Sequence, residues 1–410
     1  MAGAEIGLFY SLVRRQRHEM LDDLNTFASL LLNVGRQHPG LSALATATVW
    51  LSGFVWRYTG DVELSERAKE RRKAKREAKA RATAKADAQR LLSGMTSDAF
   101  RLGRVAASVH LVDFSPQGYT SQAISTKHVI ESEDIPEEYS EPYTHQLDVF
   151  TQKLARREIF EGTPKLAPIR LVLDRAKGDE SKMLYIEYSE SRGYVHQRAA
   201  TAVFQGLPKT SRQAICRDPI STMKPFFSNS LGVSLAVITS DDHLLFVRRG
   251  DSTAVNQGRI VCSVVEGLTI QDVHQQAIDP FRAAQRALKE ELSIDLLHSE
   301  TGAISITGLM FNDDFHEWNF VGHVDLRAFR GKYTVEQIIE RKSLALAHDA
   351  WEIGALEFID FRPETVAGYM LAYDDRLTNY AKVTAVLALV CTTSQPAAVA
   401  AAFAHSSSEH

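Results

Sequence analysis

One segment in the C-terminal half of the chain predicts a capped helix that carries two adjacent carboxylates. Asp279 is suited to accept hydrogen bonds from the first-turn amides, and Pro280 suits the first helical position because it has no N–H to leave unpaired. Helical spacing then places Glu290 and Glu291 on a face with small residues, one turn after Arg286. Oxygen ligands in such a pair suit Mg²⁺ or Mn²⁺, so the helix predicts a site where a divalent metal meets a diphosphate.

The same segment resembles the box of the Nudix hydrolases, G-x5-E-x7-R-E-U-x-E-E-x-G-U, in which U is an aliphatic residue. The residues that match the R, U, E, E and U positions are Arg286, Leu288, Glu290, Glu291 and Ile294. Three positions depart from the pattern, since Ala287 replaces the first helical Glu, Ser293 replaces the Gly, and Ile278 replaces the loop Glu. Gly267 begins the box, and the connection that follows it is about five residues longer than the pattern.

The resemblance implies a hydrolase that depends on Mg²⁺ or Mn²⁺. In that interpretation Glu290, Glu291 and the carbonyl of Gly267 bind the metal, and Arg286 holds the loop or the helix by its charge. The implied substrate is a nucleoside diphosphate linked to another moiety, and the implied reaction is attack of water on one phosphorus.

The loss of a carboxylate at Ala287 means that the implied reaction needs a replacement from elsewhere in the chain. Glu352, just before the last predicted strand, is one candidate for a metal ligand or base, and Asp272 and Glu266 near the long loop are two others. Each of the three also fits an ordinary solvated surface carboxylate. The acidic pair 313–314 lies in a sequence typical of a turn and is given no role.

The alternation of apolar residues predicts an α/β fold, and with the resemblance it indicates a Nudix-like α/β/α sandwich over residues 228–392. Its predicted elements are a hairpin at 231–249, strands at 259–265, 304–311, 318–326 and 355–361, and a helix at 378–390. Residues 104–217 predict a separate mixed α+β domain. Residues 394–410 predict a disordered tail. In the mixed domain Arg192, His196 and Arg198 could approach a phosphate, or could be structural residues near a strand end.

Residues 1–95 predict a helical arm. Its apolar segment 41–58 contains no charged residue before Arg57, which fits either a membrane-inserted helix or a buried bundle helix. The following basic segment 66–90 predicts a charged, solvent-exposed helix with the composition of a coiled coil. It fits a spacer, or a surface that binds anionic lipid next to the apolar segment. Nucleic acid is disfavoured as a partner because the segment has no interleaved aromatic residues for base stacking.

Composition indicates a globular cytoplasmic protein, and membrane association through segment 41–58 stays open. The 410 residues carry a net charge of -4, which argues against a chain devoted to nucleic-acid binding. The three cysteines, Cys216, Cys262 and Cys391, are isolated, so neither a disulfide framework nor a zinc site is indicated. Three functions remain open: a Nudix-type hydrolase, a catalytically inactive nucleotide-binding sensor, and an interaction protein whose arm mediates assembly.

Overall fold

The computed structural model describes Lys75 and residues 100–129, 134–159, 163–173, 184–190, 193–221, 225–227, 230–250, 256–274, 276–344, 353–393 and 395–405. Apart from Lys75, these residues belong to one compact unit, Ala82–His410. The predictions for segments 41–58 and 66–90, apart from Lys75, and for Glu352 lie outside the described residues. None of the described helices is long and apolar enough to cross a membrane.

The described part of the chain contains strands and helices along its whole length. The strands are β1 Phe100–Leu102, β2 Val105–Ala107, β3 Val109–Phe114, β4 Ile124–His128, β5 Leu166–Leu173, β6 Leu184–Glu190, β7 Leu231–Ile238, β8 His243–Arg249, β9 Ile260–Cys262, β10 Val264–Gly267, β11 Val273–His274, β12 Ala277–Ile278, β13 Ile304–Asn312, β14 Glu317–Asp325 and β15 Ile353–Asp360. The helices are α1 Glu137–Ala155, α2 Tyr194–Gly206, α3 Lys209–Cys216, α4 Pro280–Leu292, α5 Val335–Ser343, α6 Pro363–Ala372, α7 Asn379–Thr392 and α8 Pro396–His405.

A mixed eight-stranded sheet forms the centre of this unit. Its order is β15-β8-β7-β14-β13-β3, with β10 paired to β7 and β9 paired to β8. Strand β14 runs parallel to β7, while the other pairs are antiparallel. Because side chains alternate along a strand, β7 faces two cores. Leu235 and Val237 pack in the cluster that contains Ala287 of α4, and Ala236 and Ile238 pack in the cluster that contains α7.

The general α/β class predicted from the sequence is confirmed, and helices lie on both faces of the central sheet. The predicted hairpin is strands β7 and β8, and the run 259–265 forms the two short strands β9 and β10. These elements were predictable because each buries a continuous or alternating apolar face. Burial of one face then requires apolar residues at every second position of the strand, and burial of both faces requires a continuous apolar run.

Residues 104–217 were predicted to form a domain separate from the C-terminal half. The structure departs from this prediction at β3. Strand β3 pairs with β13, so the upstream segment supplies the edge strand of the central sheet. The edge of β13 offers unpaired backbone groups, and β3 satisfies them. The remaining upstream strands form a three-stranded sheet of order β4-β6-β5.

The prediction of disorder from residue 394 is wrong for residues 396–405. They form helix α8, in which Val399 and Phe403 are fully buried. These two residues are four apart, so they share one helix face and pack into the core beside α7. The alanines around them favour the helix.

Candidate functional site

The box helix α4 begins as the sequence predicts. The carboxylate of Asp279 accepts from the backbone N–H of Phe281 at 3.0 Å and of Arg282 at 3.2 Å, and Pro280 occupies the first turn. The helix ends at Ser293, whose backbone is left-handed with φ of 54°. The start and end of the helix therefore fix which turn presents Arg286 and the two glutamates.

Arg286 is the centre of the site. Its Nε donates to Asp272 Oδ1 at 3.1 Å and one Nη donates to Asp272 Oδ2 at 2.8 Å. That Nη also donates to the carbonyl of Gly267 at 3.2 Å, and the other Nη donates to Glu290 Oε2 at 2.9 Å. One guanidinium thus joins the helix, the long loop and the end of β10, because its planar fork can serve several acceptors at once.

Asp272 reaches Arg286 because of the long connection after Gly267. Its carboxylate caps the short turn 270–272 by accepting from the backbone N–H of Thr269 at 2.9 Å, and its side chain is 1% exposed. Its carbonyl accepts from the N–H of Asp279 at 2.9 Å, which ties the loop to the start of the box helix. The longer connection therefore brings a loop carboxylate, Asp272, to the arginine. In the box pattern the position of the loop Glu falls on Ile278, which has no carboxylate.

Glu266 and Gly267 come from the end of β10, which pairs with β7. Glu266 Oε1 lies 3.7 Å from an Nη of Arg286 and accepts from Nζ of Lys165 at 2.9 Å. Glu266 is therefore held between two cations, one from α4 and one from the segment before β5.

The charge of Arg286 is compensated by its contacts with carboxylates. Burial of the Arg286 guanidinium disfavours its charge, but hydrogen bonds and charges from Asp272, Glu266 and Glu290 outweigh burial and raise its pKa above the ordinary value. Arg286 is consequently a fixed cation at any pH of interest. Chemically, the cluster holds the loop and the end of β10 against the helix through charge-assisted hydrogen bonds.

As they lie, the described residues do not form a cluster of metal ligands. Of the predicted ligands, the carbonyl of Gly267 and the carboxylate of Glu290 both accept from Arg286, and Glu291 is the next residue on the partly buried helix face. Within the described ranges, no group of three or more His, Cys, Asp or Glu side chains is arranged to hold a metal ion. The Mg²⁺ or Mn²⁺ indicated by the sequence stays a prediction.

The helix supplies no carboxylate at position 287, where the Nudix box has its first helical Glu. Ala287 is 0% exposed and packs among the apolar residues of the core beneath α4. A charged side chain there would be buried among apolar groups, which is costly. Of the candidate replacements, Asp272 and Glu266 are paired with cations, and Glu352 lies outside the described residues.

The other polar residues singled out in the sequence lie in structural contacts. Nδ1 of His196 lies 2.5 Å from the hydroxyl of Tyr143, and the guanidinium of Arg198 lies over the ring of Phe150 at 5.7 Å. In the acidic turn, Asp313 pairs with His110 at 3.1 Å and Asp314 accepts from Asn379 at 2.8 Å. Arg192 is outside the described residues.

Sequence reasoning missed Lys165. It lies 101 positions before its partner Glu266, and no local motif marks it. The only sequence signal is its place directly before the apolar strand β5. That signal predicts a strand end but does not identify which loop the strand end contacts.

A cleft of about 740 Å³ lies at the opposite end of β14 from the box. Asn319, near the start of β14, pairs with Gly232 beside the box. Asp325, at the end of the same strand, lines the cleft. The lining side chains include Ser299, Ser305, His323, Asp325, Arg327, Phe329, Cys391 and Thr392. Asp325 accepts two hydrogen bonds from the Arg327 guanidinium, at 2.9 and 2.7 Å, so their charges are mutually compensated.

Burial lowers the pKa of His323 to about 4, so its imidazole is neutral at pH 7. Burial likewise raises the pKa of the Cys391 thiol to about 12, so this cysteine is a thiol rather than a reactive thiolate. The cleft therefore offers a neutral imidazole and hydroxyl groups to a ligand, with an aromatic side chain beside them.

Comparison with known proteins gives little further guidance. No protein-family model matches the chain, and no curated protein matches it. Among solved structures, the chain is similar to the crystal structure of DR0079 from Deinococcus radiodurans, with a TM-score of 0.23 and 15% identity. The match covers 35% of this chain and 74% of that chain, and at this TM-score it supports no argument about fold or function.

Proposed function

We propose that the C-terminal half is a catalytically inactive, Nudix-like module that binds a nucleoside or nucleotide-derived ligand. The observation that carries the proposal is the hydrogen bonding of Arg286, which engages both the Gly267 carbonyl and Glu290. The Gly267 carbonyl, which the resemblance assigns to a metal, joins the end of β10 to the helix, and Glu290 is paired with Arg286 within the helix. With Ala287 buried at the remaining position, the box has a structural role in this proposal, and none of its described residues is assigned as a base for water.

The cleft beyond Asp325 supports ligand binding at a different place from the box. Its volume lies within the range of about 300–1,000 Å³ that small-molecule sites occupy. Its Asp325–Arg327 pair is internally neutral, and the carboxylate of Glu300 accepts from Lys332 at 2.6 Å and Tyr333 at 2.9 Å. An uncharged, hydrogen-bonding group such as a base with its sugar fits these surroundings better than a bare phosphate does.

The rival function is the metal-dependent hydrolysis that the resemblance implies. The observation in its favour is that Glu290 and Glu291 are adjacent on α4, and that Arg286 brings Glu290 together with Glu266 and the carbonyl of Gly267. For hydrolysis, a metal would have to use the remaining lone pairs of the Gly267 carbonyl and Glu290 beside Arg286, and a third carboxylate such as Glu352 would have to reach the site.

One experiment separates the two functions. The full chain is mixed with a panel of nucleosides and nucleoside diphosphate derivatives in Mg²⁺ or Mn²⁺, and both binding and product release are measured. We expect saturable binding without turnover, with Glu290→Gln/Glu291→Gln binding the ligand as the parent does. Turnover that disappears in the double variant would establish the hydrolase instead. Absence of both binding and turnover would leave the interaction-protein function.

The sensor function also requires an output, which we propose is the arm at residues 1–95. Its apolar segment 41–58 followed by the basic segment 66–90 has the composition of a surface that meets anionic lipid. Fractionation of the full chain against a chain that begins near residue 95 tests this. Membrane recovery of the full chain alone supports the output, and equal recovery of both in the soluble fraction contradicts it.

A further inference from the structure

The segment before β5 reaches across the box loop. The N–H of Leu166 donates to the carbonyl of Leu268 at 2.8 Å, and Lys165 forms an antiparallel bridge with Thr269. The start of β5 thus pairs with the chain directly after Gly267. This pairing fixes the position from which the Lys165 side chain extends.

The Lys165 side chain packs against the backbone of Gly267. A Cβ at position 267 would lie 2.7 Å from Cδ and 2.9 Å from Cε of Lys165, distances at which something must shift. The absence of a side chain at Gly267 lets the lysine stem lie directly on the backbone there. Its Nζ then donates to Glu266 at 2.9 Å, and both side chains are largely shielded from water, at 25% and 14% exposed.

The position of this ammonium has an electrostatic consequence. A divalent cation that used the Gly267 carbonyl and Glu266 would sit beside Lys165 Nζ on one side and the Arg286 guanidinium on the other. Like charges at such distances repel strongly in a partly desolvated site. Lysine and a divalent metal are therefore alternative partners for the same carboxylate.

We propose that Lys165 is the resident cation of the box, and that its ammonium excludes divalent metal from Glu266 and the Gly267 carbonyl. The inference goes beyond the absence of turnover, because it names the group that replaces the metal and the upstream segment that delivers it. It also accounts for the docking of the three-stranded sheet, which gains a charged hydrogen bond at the box loop in addition to its backbone pairing.

Two further contacts join the three-stranded sheet to the connection between Gly267 and α4. The hydroxyl of Tyr188, in β6, donates to the carbonyl of Gln276 at 3.2 Å, and the hydroxyl of Thr126, in β4, accepts from the N–H of Ile278 at 2.6 Å. Each strand of the upstream sheet therefore contacts the connection between Gly267 and α4. The lysine is held there by a whole sheet, which is why it is a stable replacement for a metal.

The test is Mn²⁺ binding to the full chain, measured by the loss of the electron paramagnetic resonance signal of free Mn²⁺. Lys165→Met keeps the stem on Gly267 and removes the charge, while Lys165→Arg keeps the charge. We expect Lys165→Met to bind Mn²⁺ at least about tenfold more tightly than the parent and Lys165→Arg, and Lys165→Met/Glu266→Gln to lose that gain. Equal Mn²⁺ affinity in the parent and Lys165→Met would overturn the proposal.

Folding of each variant is checked by circular dichroism and thermal unfolding. If Lys165→Met does not fold, Lys165→Gln replaces it, because glutamine can still donate to Glu266 without a charge. Micromolar Mn²⁺ affinity in the parent protein overturns the proposal whatever the variants do. Since only the metal is added, the result is independent of nucleotide binding, and a failure here is distinct from a failure of the proposed function.

Discussion

At the scale of single residues, the bond between Arg286 and Asp272 governs the stability of the box. Asp272 is almost fully buried and accepts two hydrogen bonds from one guanidinium. Replacing Asp272 by Asn keeps the shape but removes the most buried charge partner of the arginine, and breaking a buried pair costs about 3–5 kcal/mol. We expect Asp272→Asn to lower the free energy of unfolding by about 3 kcal/mol in urea denaturation.

Glu290 supplies the matched control for that prediction, because it pairs with the same arginine. Its side chain is 33% exposed and it makes a single hydrogen bond within one helix. Helix ion pairs of this kind contribute about 0.5 kcal/mol or less, so Glu290→Gln should have a small effect. Equal losses in the two variants would contradict the structural role assigned to Asp272.

A second residue-scale prediction concerns His316, which is buried among the rings of Phe204, Phe227 and Phe311. Burial lowers its pKa to about 3. The unfolded chain takes up this proton near pH 6.5 and the folded chain does not, so stability falls as pH drops from about 6.5 towards 3. One such group contributes about 1.4 kcal/mol per pH unit over that window.

The test compares urea denaturation at pH 7, 6 and 5. His316 has φ of 56°, so Asn is the suitable replacement because it tolerates a left-handed backbone. We expect His316→Asn to be less stable at pH 7 but to have a shallower dependence of unfolding free energy on pH. An unchanged slope in His316→Asn would rule out its contribution.

At the scale of the element, the end of the box helix carries a conformational cost. Ser293 adopts the left-handed backbone that glycine adopts without penalty, and its hydroxyl is buried without a hydrogen-bond partner among the described residues. Ser293→Gly should therefore stabilise the protein by about 1 kcal/mol, measured by denaturation. Ser293→Ala keeps the side-chain penalty and should give little or no gain. Destabilisation by glycine would show that the serine has a compensating contact.

The helix also shows how far the sequence predicts the structure. Its start at Asp279 and Pro280 was predictable because capping is decided by neighbouring residues. The strands around it were predictable because their apolar spacing follows the strand period. Lys165 and the docking of β3 on β13 were not, since both are contacts between distant parts of the chain. Asp272 was identified as a candidate, but its partner Arg286 became evident only from the folded loop.

At the scale of the whole molecule, distant segments complete the central sheet and its cores. Strand β3 closes the sheet at β13, the segment before β5 covers the box loop, and helix α8 packs beside α7. The two cores, one on each face of the sheet, therefore depend on parts of the chain that lie outside the predicted sandwich. Stability should respond to changes far from residues 228–392.

Helix α8 gives the sharpest test of that dependence, because the sequence alone predicted a disordered tail over residues 394–410. Phe403 is 0% exposed and belongs to the core that contains Phe100, Val109 and Met310. Removing a buried phenylalanine ring costs about 3–5 kcal/mol, so Phe403→Ala should lower the unfolding free energy by that amount. A chain that ends after residue 405 should match the parent, while one that ends after residue 394 should be at least as unstable as Phe403→Ala. Parent stability in the shorter chain would mean that the core on the α7 face is complete without α8.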